Sequence, residues 1–482
     1  YTDGKYTGFT NTYGIGYYVN GETYIAYGGA ITVASYGATY TDGDIIGVAL
    51  DMGTNNGSIT FYKNGVSQGV AATGLGAYLT SGAIQAWVPG FGDGSAGQNV
   101  THYVNFGQNP SFSGQVTAGT NADDSGKGLF KYAPPTGFLA LCEDNLPTPA
   151  IADPGDYFKT VLYEGDGNNG RSITGVGFKP DLVWLKSRTN TASHRLSDSV
   201  RGVNKQLMSN TTEIEATFTT MITSFDSDGF TLGDNAGING SGYTNLAWCW
   251  KAGGAAVTNT DGSITSQVSA NQTAGFSIVK FTGQTSGTGT VGHGLGKKPA
   301  FWMYKPINNT TNWYMYHQSL GASAWLNFTT SAATTGNAAA WGGVEPTSTV
   351  LTHGSGLINQ GSCILYAWAE IEGFSKFGSY TGNGSADGPF VYCGFKPAFI
   401  MFRNASATGN WVMSDSSRDS SNPVFGYQVA EGNAIEERGN ALFDSLSNGF
   451  KIRNSWTSFN GSTNTITFMA FAESPFQTAN AK

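Results

Sequence analysis

The chain has 482 residues, 25 basic and 33 acidic, for a formal net charge of −8; only 12% of its residues are charged, while 39% are hydrophobic and 13% aromatic. With no Lys/Arg cluster it lacks the cationic stripe that a phosphate backbone requires, so nucleic acid is excluded as an expected partner. No run of 18 apolar residues is present, so no membrane span is expected, and the length predicts roughly three to four domains.

Short apolar runs separated by Gly, Ser, Thr and Asn, 68 of them Gly, predict an all-β chain with many turns. Cys142, Cys249, Cys363 and Cys393 show neither C-x-x-C nor Cys/His spacing and lie in apolar contexts. They are read as free, buried thiols, with no metal site. The first residue is not Met and falls mid-pattern, and no signal peptide is present, which predicts a preceding segment.

Residues 1–132 read as one β-sandwich. Gly14-Ile15-Gly16-Tyr17-Tyr18 leads into the turn signal Asn20-Gly21. In Asp42-Gly43-Asp44-Ile45-Ile46-Gly47-Val48-Ala49-Leu50-Asp51, the residues Ile46, Val48 and Leu50 alternate on one face. A strand then runs Phe61-Tyr62-Lys63 into Asn64-Gly65, a type I′ turn signal, and Val104-Asn105-Phe106-Gly107-Gln108 closes the domain. Asp42, Asp44 and Asp51 are read as turn-forming and capping carboxylates, because a strand separates Asp44 from Asp51.

Together, Gly-Asp-x-Ile-Gly-Val-x-x-Asp, Phe-Tyr-Lys-Asn-Gly and Val-Asn-Phe-Gly-Gln resemble the SPRY domain over about residues 10–112. The resemblance implies a concanavalin-like β-sandwich that binds partners through edge loops and has no catalytic activity. The family's aromatic-rich opening strands are absent or degenerate, in keeping with a missing N-terminal segment. No site residue carries over.

Residues 133–156 form a Pro-rich linker, stiffened by five prolines between Pro134 and Pro154. Its Phe138–Leu141 run is apolar enough to pack back on the first sandwich. The phrase Pro-Pro-x-Gly-Phe-x-Ala-Leu-Cys, followed by Asn-Leu-Pro-x-Pro, resembles the segment after SPRY-like domains in tail-associated proteins of bacteriophages.

The remainder is a repeat. Gly177-Phe178-Lys179-Pro180 precedes Asp181-Leu182-Val183-Trp184-Leu185-Lys186. Gly296-Lys297-Lys298-Pro299 precedes Ala300-Phe301-Trp302-Met303-Tyr304-Lys305, and Gly394-Phe395-Lys396-Pro397 precedes Ala398-Phe399-Ile400-Met401-Phe402-Arg403. Each reads as a turn feeding a buried strand that ends in a cation. Each copy closes on alternating bulky and small residues: Leu246-Ala247-Trp248-Cys249-Trp250, Leu365-Tyr366-Ala367-Trp368-Ala369, and Phe468-Met469-Ala470-Phe471-Ala472.

Three small β-sandwiches are therefore expected at 157–252, 274–370 and 371–482, with 253–273 a Gly/Ser/Thr-rich connector and the last two repeats packed as a rigid pair. The unit resembles a β domain found in tandem, beside SPRY-like domains, in structural proteins of marine bacteriophages.

Candidate chemistry is sparse. Asp198, His317 and Asp415 occupy equivalent strand ends, but a duplicated catalytic residue would not change between Asp and His, so they are read as polar strand ends. His102, His194, His293 and His353 show no triad pattern. Glu164 and Asp166 share a turn that could pair carboxylates or hold calcium, without the full ligand spacing of a calcium loop. The better lead is aromatic. Tyr17, Tyr18, Tyr24 and Tyr27 lie near Asn20 and Glu22, and Trp313, Trp341 and Trp411 sit in Asn/Gly/Thr-rich surroundings, as rings that stack on sugars would.

The expectation is thus a non-enzymatic phage virion protein at the tail or particle surface: a tail-fibre or receptor-binding component contacting host polysaccharide or protein and other virion proteins. The resemblance implies a homotrimer. The alternatives are a head fibre or capsid-decorating protein and, in another class, a polysaccharide depolymerase. No cofactor is expected beyond the calcium loop.

Overall fold

The computed structural model describes residues 13–77 apart from 28–29 and 54–55, then 87, 89, 90 and 101–479 apart from 147, 329–332, 334–336 and 358. It is built almost wholly of strands and divides into two units, Tyr1–Pro147 and Thr148–Lys482.

The first unit carries two three-stranded antiparallel sheets. One has the order β1 (Tyr13–Tyr17), β2 (Glu22–Tyr27), β3 (Ala30–Ser35); the other has β4 (Ile46–Asp51), β5 (Ser58–Lys63), β6 (Val66–Thr73). Asn64 and Gly65 have φ of 51° and 81°, the two positive values of the type I′ hairpin between β5 and β6. On β4 the small residue Ala49 is buried, while Val48 and Leu50 are 58% and 39% exposed. Asp44 caps a turn, accepting from Thr41 N and Asn64 Nδ2. In the predicted linker Ala140 N and Asn145 Nδ2 both donate to the buried Asp123 carboxylate at 2.7 Å, and Asp144 pairs with Lys127. Leu139 and Leu141 are exposed, so the apolar run does not dock as a whole.

In the second unit each repeat is a two-layer sandwich. Repeat 1 runs through β7 (Phe158–Glu164), β8 (Arg171–Ile173), β9 (Leu182–Ser187), β10 (Arg195–Asp198), β11 (Lys205–Gln206), β12 (Ala216–Thr217), β13 (Ile222–Asp226), β14 (Gly229–Leu232) and β15 (Thr244–Trp250). The order β10-β9-β15-β7 forms its large sheet and β13-β14-β8 its small one.

Repeat 2 contains β16 (Val257–Asn259), β17 (Ser266–Asn271), β18 (Phe276–Thr282), β19 (Gly289–Gly292), β20 (Phe301–Pro306), β21 (Tyr314–His317), β22 (Val350–His353) and β23 (Ser362–Trp368). Its sheets are β16-β17-β18-β23-β20-β21 and β19-β22. Repeat 3 has β24 (Ser375–Thr381), β25 (Phe390–Tyr392), β26 (Phe395–Asn404), β27 (Trp411–Asp415), β28 (Gln428–Val429), β29 (Phe443–Leu446), β30 (Gly449–Ile452) and β31 (Thr465–Pro475). They order as β24-β31-β26-β27-β28 and β25-β30-β29.

The small sheets pack tightly because their hairpins carry Gly where no Cβ fits. A Cβ on Gly229 would lie 2.0 Å from Ile173 O, and one on its counterpart Gly449 2.1 Å from Val391 O. Repeat 2 lacks this hairpin, so its small sheet has two strands.

Two expectations change. The segment 253–273 is not a bare connector: it supplies β16 and β17, which cover the edge of β18. The counterparts of β18 in the other repeats, β7 and β24, remain edge strands. Nor do the sandwiches string out with only the last two paired. Besides a core inside each sandwich, one further cluster takes side chains from all three. Within it Trp250 meets both of its counterparts, Trp368 at 6.1 Å and Phe471 at 5.8 Å between ring centroids.

Two closed circuits of hydrogen bonds run around this shared core. In the first, each strand end meets the last strand of the next repeat. Tyr366 Oη donates to Asp198 Oδ2 at 2.7 Å, His317 Nε2 donates to Phe468 O at 3.1 Å, and Trp248 Nε1 donates to Asp415 Oδ2 at 3.1 Å. The second runs the other way: His194 Nε2 to Val429 O at 3.1 Å, Trp313 Nε1 to Met208 O at 2.9 Å, and Trp411 Nε1 to Asn327 O at 2.8 Å. Repeat 1 thus touches repeat 2, repeat 2 touches repeat 3, and repeat 3 returns to repeat 1, a pseudo-threefold arrangement inside one chain.

The charges in these joints are paired. Asp198 holds Arg201 and Asp415 holds Arg418, all four side chains fully buried. Removing one member of such a pair leaves an uncompensated buried charge, which costs about 3–5 kcal/mol. Asp198→Ala is expected to lose about that much in denaturant unfolding of residues 148–482, with all three repeats leaving in one transition. Three separable transitions would refute the single shared core.

The buried histidines make stability depend on pH. Desolvation holds His194 down to about 3 and His293, His317 and His353 to about 4. The unfolded chain takes up protons near pH 6.5 while the folded chain does not, so stability is complete above pH 6.5 and falls as pH drops toward 4. Equilibrium unfolding across that window should show this slope, and His317→Gln should flatten it.

Candidate functional site

The rings singled out from the sequence fall into two groups. Trp313, Trp341 and Trp411 are 1–2% exposed, so none can stack on a ligand. Trp313 and Trp411 close the second circuit, and Trp341 Nε1 donates to Ala324 O at 3.1 Å. The acceptors of these indole N–H groups are backbone carbonyls distant in sequence, at Met208, Asn327 and Ala324, so the polar residues flanking each Trp do not report its exposure. Tyr17 is also core: it packs on Tyr36, Tyr40 and Phe61 and donates to Ala38 O.

Tyr18 and Tyr24 are half-buried at the β1–β2 hairpin, with ring centroids 4.2 Å apart. Beside them Asn20 Nδ2 donates to Glu22 Oε2 at 2.7 Å, and the Tyr24 hydroxyl lies 3.4 Å from the same oxygen. This pair of rings has an amide and a carboxylate beside it. Tyr27 ends β2, also half-buried.

The positions that might carry catalysis are structural. Asp198, His317 and Asp415 are buried in the first circuit. His194 accepts from Trp184 Nε1 on Nδ1, His293 from Leu295 N and His317 from Ser319 N, which leaves each Nε2–H facing a carbonyl. His353 lies 3.3 Å from the buried Tyr304 hydroxyl. In the Glu164–Gly170 turn, Asp166 accepts from Asn168 N and pairs with Arg171 at 3.2 Å, which occupies the carboxylate proposed for a cation. Among the described residues no group of three His, Cys, Asp or Glu is placed to hold a metal ion. Cys249, Cys363 and Cys393 are buried thiols and Cys142 is half-buried.

A groove of about 370 Å³ in repeat 3 was not foreseen. It lies between the strand-like pairing of Tyr427 with Glu437 and the turn that joins β30 to β31. Tyr427 and Trp456 line it with ring centroids 5.2 Å apart at 69°. Glu437, Asn440 and Asn454 supply polar groups along the same walls. Trp456 is braced from behind by Phe459 at 5.8 Å and its N–H is held by Asn454 Oδ1 at 2.9 Å. Burial, then the nearby Glu437 charge, pushes the Tyr427 phenol up to about 12, so its hydroxyl stays protonated and available as a donor. The arrangement offers an edge-to-face aromatic pair, the Glu437 carboxylate and the Asn440 amide, while the Asn454 amide is spent in the turn, donating to Ala441 O and accepting from Trp456 N; this suits a neutral polyhydroxyl ligand. Trp456 lies in the turn Arg453-Asn454-Ser455-Trp456-Thr457 and is half-buried there, whereas Trp341, also in a turn, is buried.

Against known proteins, no curated protein and no solved structure matches the chain. Residues 2–88 match the SPRY domain, and residues 153–475 match a model described as a domain of unknown function, DUF7483. That second match takes in more than half the chain and spans the three repeats as one domain. The chain therefore belongs to the DUF7483 family, with a SPRY domain ahead of the family domain.

Proposed function

We propose that this protein is a non-enzymatic, particle-borne adhesin: a tail-fibre or receptor-binding component of a bacteriophage virion that binds a host-surface polysaccharide. The observation that carries the reading is the repeat 3 groove, where Trp456 and Tyr427 stand with the Glu437 carboxylate and the Asn440 amide on a β framework. The half-buried Tyr18–Tyr24 pair beside Asn20 and Glu22 has the same chemistry. Both place aromatic faces next to hydrogen-bonding groups without a cationic patch, which suits neutral sugars.

The bacteriophage setting rests on the resemblance of the linker and repeats to virion proteins. The engagement of Asp198, Asp415, His194 and His317 in bonds between repeats supports binding over catalysis at those positions. A head-fibre or capsid-decorating role would use the same scaffold for attachment to other virion proteins.

Trp456→Ala, at a half-buried turn position, is expected to leave the fold intact and to weaken binding of the whole protein to purified host polysaccharide about tenfold, in the range of one aromatic stacking contact and its packing. Surface plasmon resonance would measure it. Unchanged binding with the fold preserved would remove the groove from the receptor site, and release of reducing ends from the polysaccharide would replace adhesion with depolymerisation.

A further inference from the structure

The pseudo-threefold pattern is broken at one place where the break also makes a cavity. Strands β16 and β17 belong to repeat 2 alone, and between them and repeat 1 lies a cleft of about 380 Å³. That volume is at the small end of ligand sites, roughly 300–1,000 Å³. Its cation is Lys280 on β18, directly opposite Gln267 of β17. One step along, Thr282 of β18 stands opposite Ser362 of β23. Thr265 adds a further hydroxyl and Val200 of repeat 1 an apolar side chain, while the Phe281 ring turns away into the core of repeat 2.

Five lysines of this unit, Lys205, Lys298, Lys376, Lys396 and Lys451, each sit within 3.6 Å of a carboxylate, and the buried Lys186 and Lys305 are held by backbone carbonyls. Among the described residues the half-buried Lys280 ammonium has neither kind of partner, and it lines the cleft. The positions matching it in the other repeats are Leu162 and Ser379, so neither the charge nor the covering strands are demanded by the repeat. A half-buried ammonium with hydroxyls and an amide around it suits a carboxylate on a polyhydroxylated ring.

We infer that the cleft between repeats 1 and 2 binds an acidic sugar of the uronic acid type, with Lys280 pairing its carboxylate and Thr265, Thr282, Ser362 and Gln267 meeting its hydroxyls. This site shares no residue with the repeat 3 groove, so either can fail while the other stands.

The test is calorimetric titration of the whole protein with D-glucuronate, D-glucose, acetate and inorganic phosphate. Glucuronate should saturate one site, with glucose and acetate each at least about tenfold weaker, since each keeps only half of the recognised groups. Lys280→Gln should weaken glucuronate about tenfold or more, as expected for loss of a charge-assisted bond, and Lys280→Arg should retain most of the binding with an unchanged unfolding midpoint. No saturation by glucuronate would overturn the inference, as would Lys280→Gln binding like the native protein. Acetate or phosphate binding as tightly as glucuronate would reduce the cleft to a simple anion site and overturn the sugar assignment.

Discussion

Everything in the larger unit depends on the joint where the end of one strand meets the last strand of the next repeat. Three small sandwiches could each bury a core of their own, but each also presents Trp, Phe and Met from its large sheet. Those side chains leave water only when all three sheets close on one another. The joints decide how they close. A hydrophobic surface alone tolerates sliding, whereas a hydrogen bond from an indole, phenol or imidazole to one atom of a neighbour fixes register. Two circuits running in opposite directions, three joints in each, leave a single arrangement in which every donor finds its acceptor.

The third joint shows the logic most clearly. Repeats 1 and 3 carry Asp-x-x-Arg at the strand end, Asp198 with Arg201 and Asp415 with Arg418, and face a ring donor, Tyr366 or Trp248. Repeat 2 has His317 and Leu320 there, and the facing position is Met469, which cannot donate. The imidazole reaches instead to the Phe468 carbonyl one residue away. Three changes thus travel together: the donor becomes Met, the acceptor becomes a donor, and the Arg that a buried carboxylate would need becomes an apolar side chain packed on the shared core. The same economy of charge appears at the ends of the Gly-x-Lys-Pro strands. Lys186, Lys305 and Arg403 are about 1% exposed or less and are met by backbone carbonyls, of Ser187, of Thr212 and Thr311, and of Gly409. Desolvation draws both lysines down to about 8, which keeps them mostly charged at neutral pH, held by carbonyl dipoles in place of carboxylates.

Much of this architecture was legible as pattern and little of it as association. Alternation and turn chemistry marked the strands, and the recurring Gly-x-Lys-Pro phrase marked the duplication, because both are local signals. Nothing local says that three sandwiches share a core. The clue was present in residues read as inert: Asp198, His317 and Asp415 changed type together with positions about 150 to 170 residues away, a correlation visible only once the joint is seen. The aromatic candidates failed for a related reason. Trp313 and Trp411 stand among polar residues in sequence, yet their indole N–H groups reach carbonyls of other repeats, so polar company in sequence does not separate core from surface. In the same way Gly253–Thr273 looked like a spacer by composition, although Val257, Ile264 and Val268 give it enough apolar side chain to add two strands.

The division between what must be kept and what is free follows from the same geometry. A residue at a joint serves two repeats at once, so changing it disturbs both partners and, through the closed circuit, the third. Residues that only one repeat possesses carry no such obligation. The two strands added to repeat 2 and the Trp456 side chain of repeat 3, which stands where repeat 1 has Asn235 in the matching turn, are of this kind, and each lines a cavity. A single chain that closes its own threefold ring gains what an assembly of identical subunits cannot have, namely three sandwiches of one design that differ where they face solvent. Ligand chemistry can then diversify at each sandwich separately, with the neutral groove in one and the cationic cleft beside another, while the shared core that holds them stays the same.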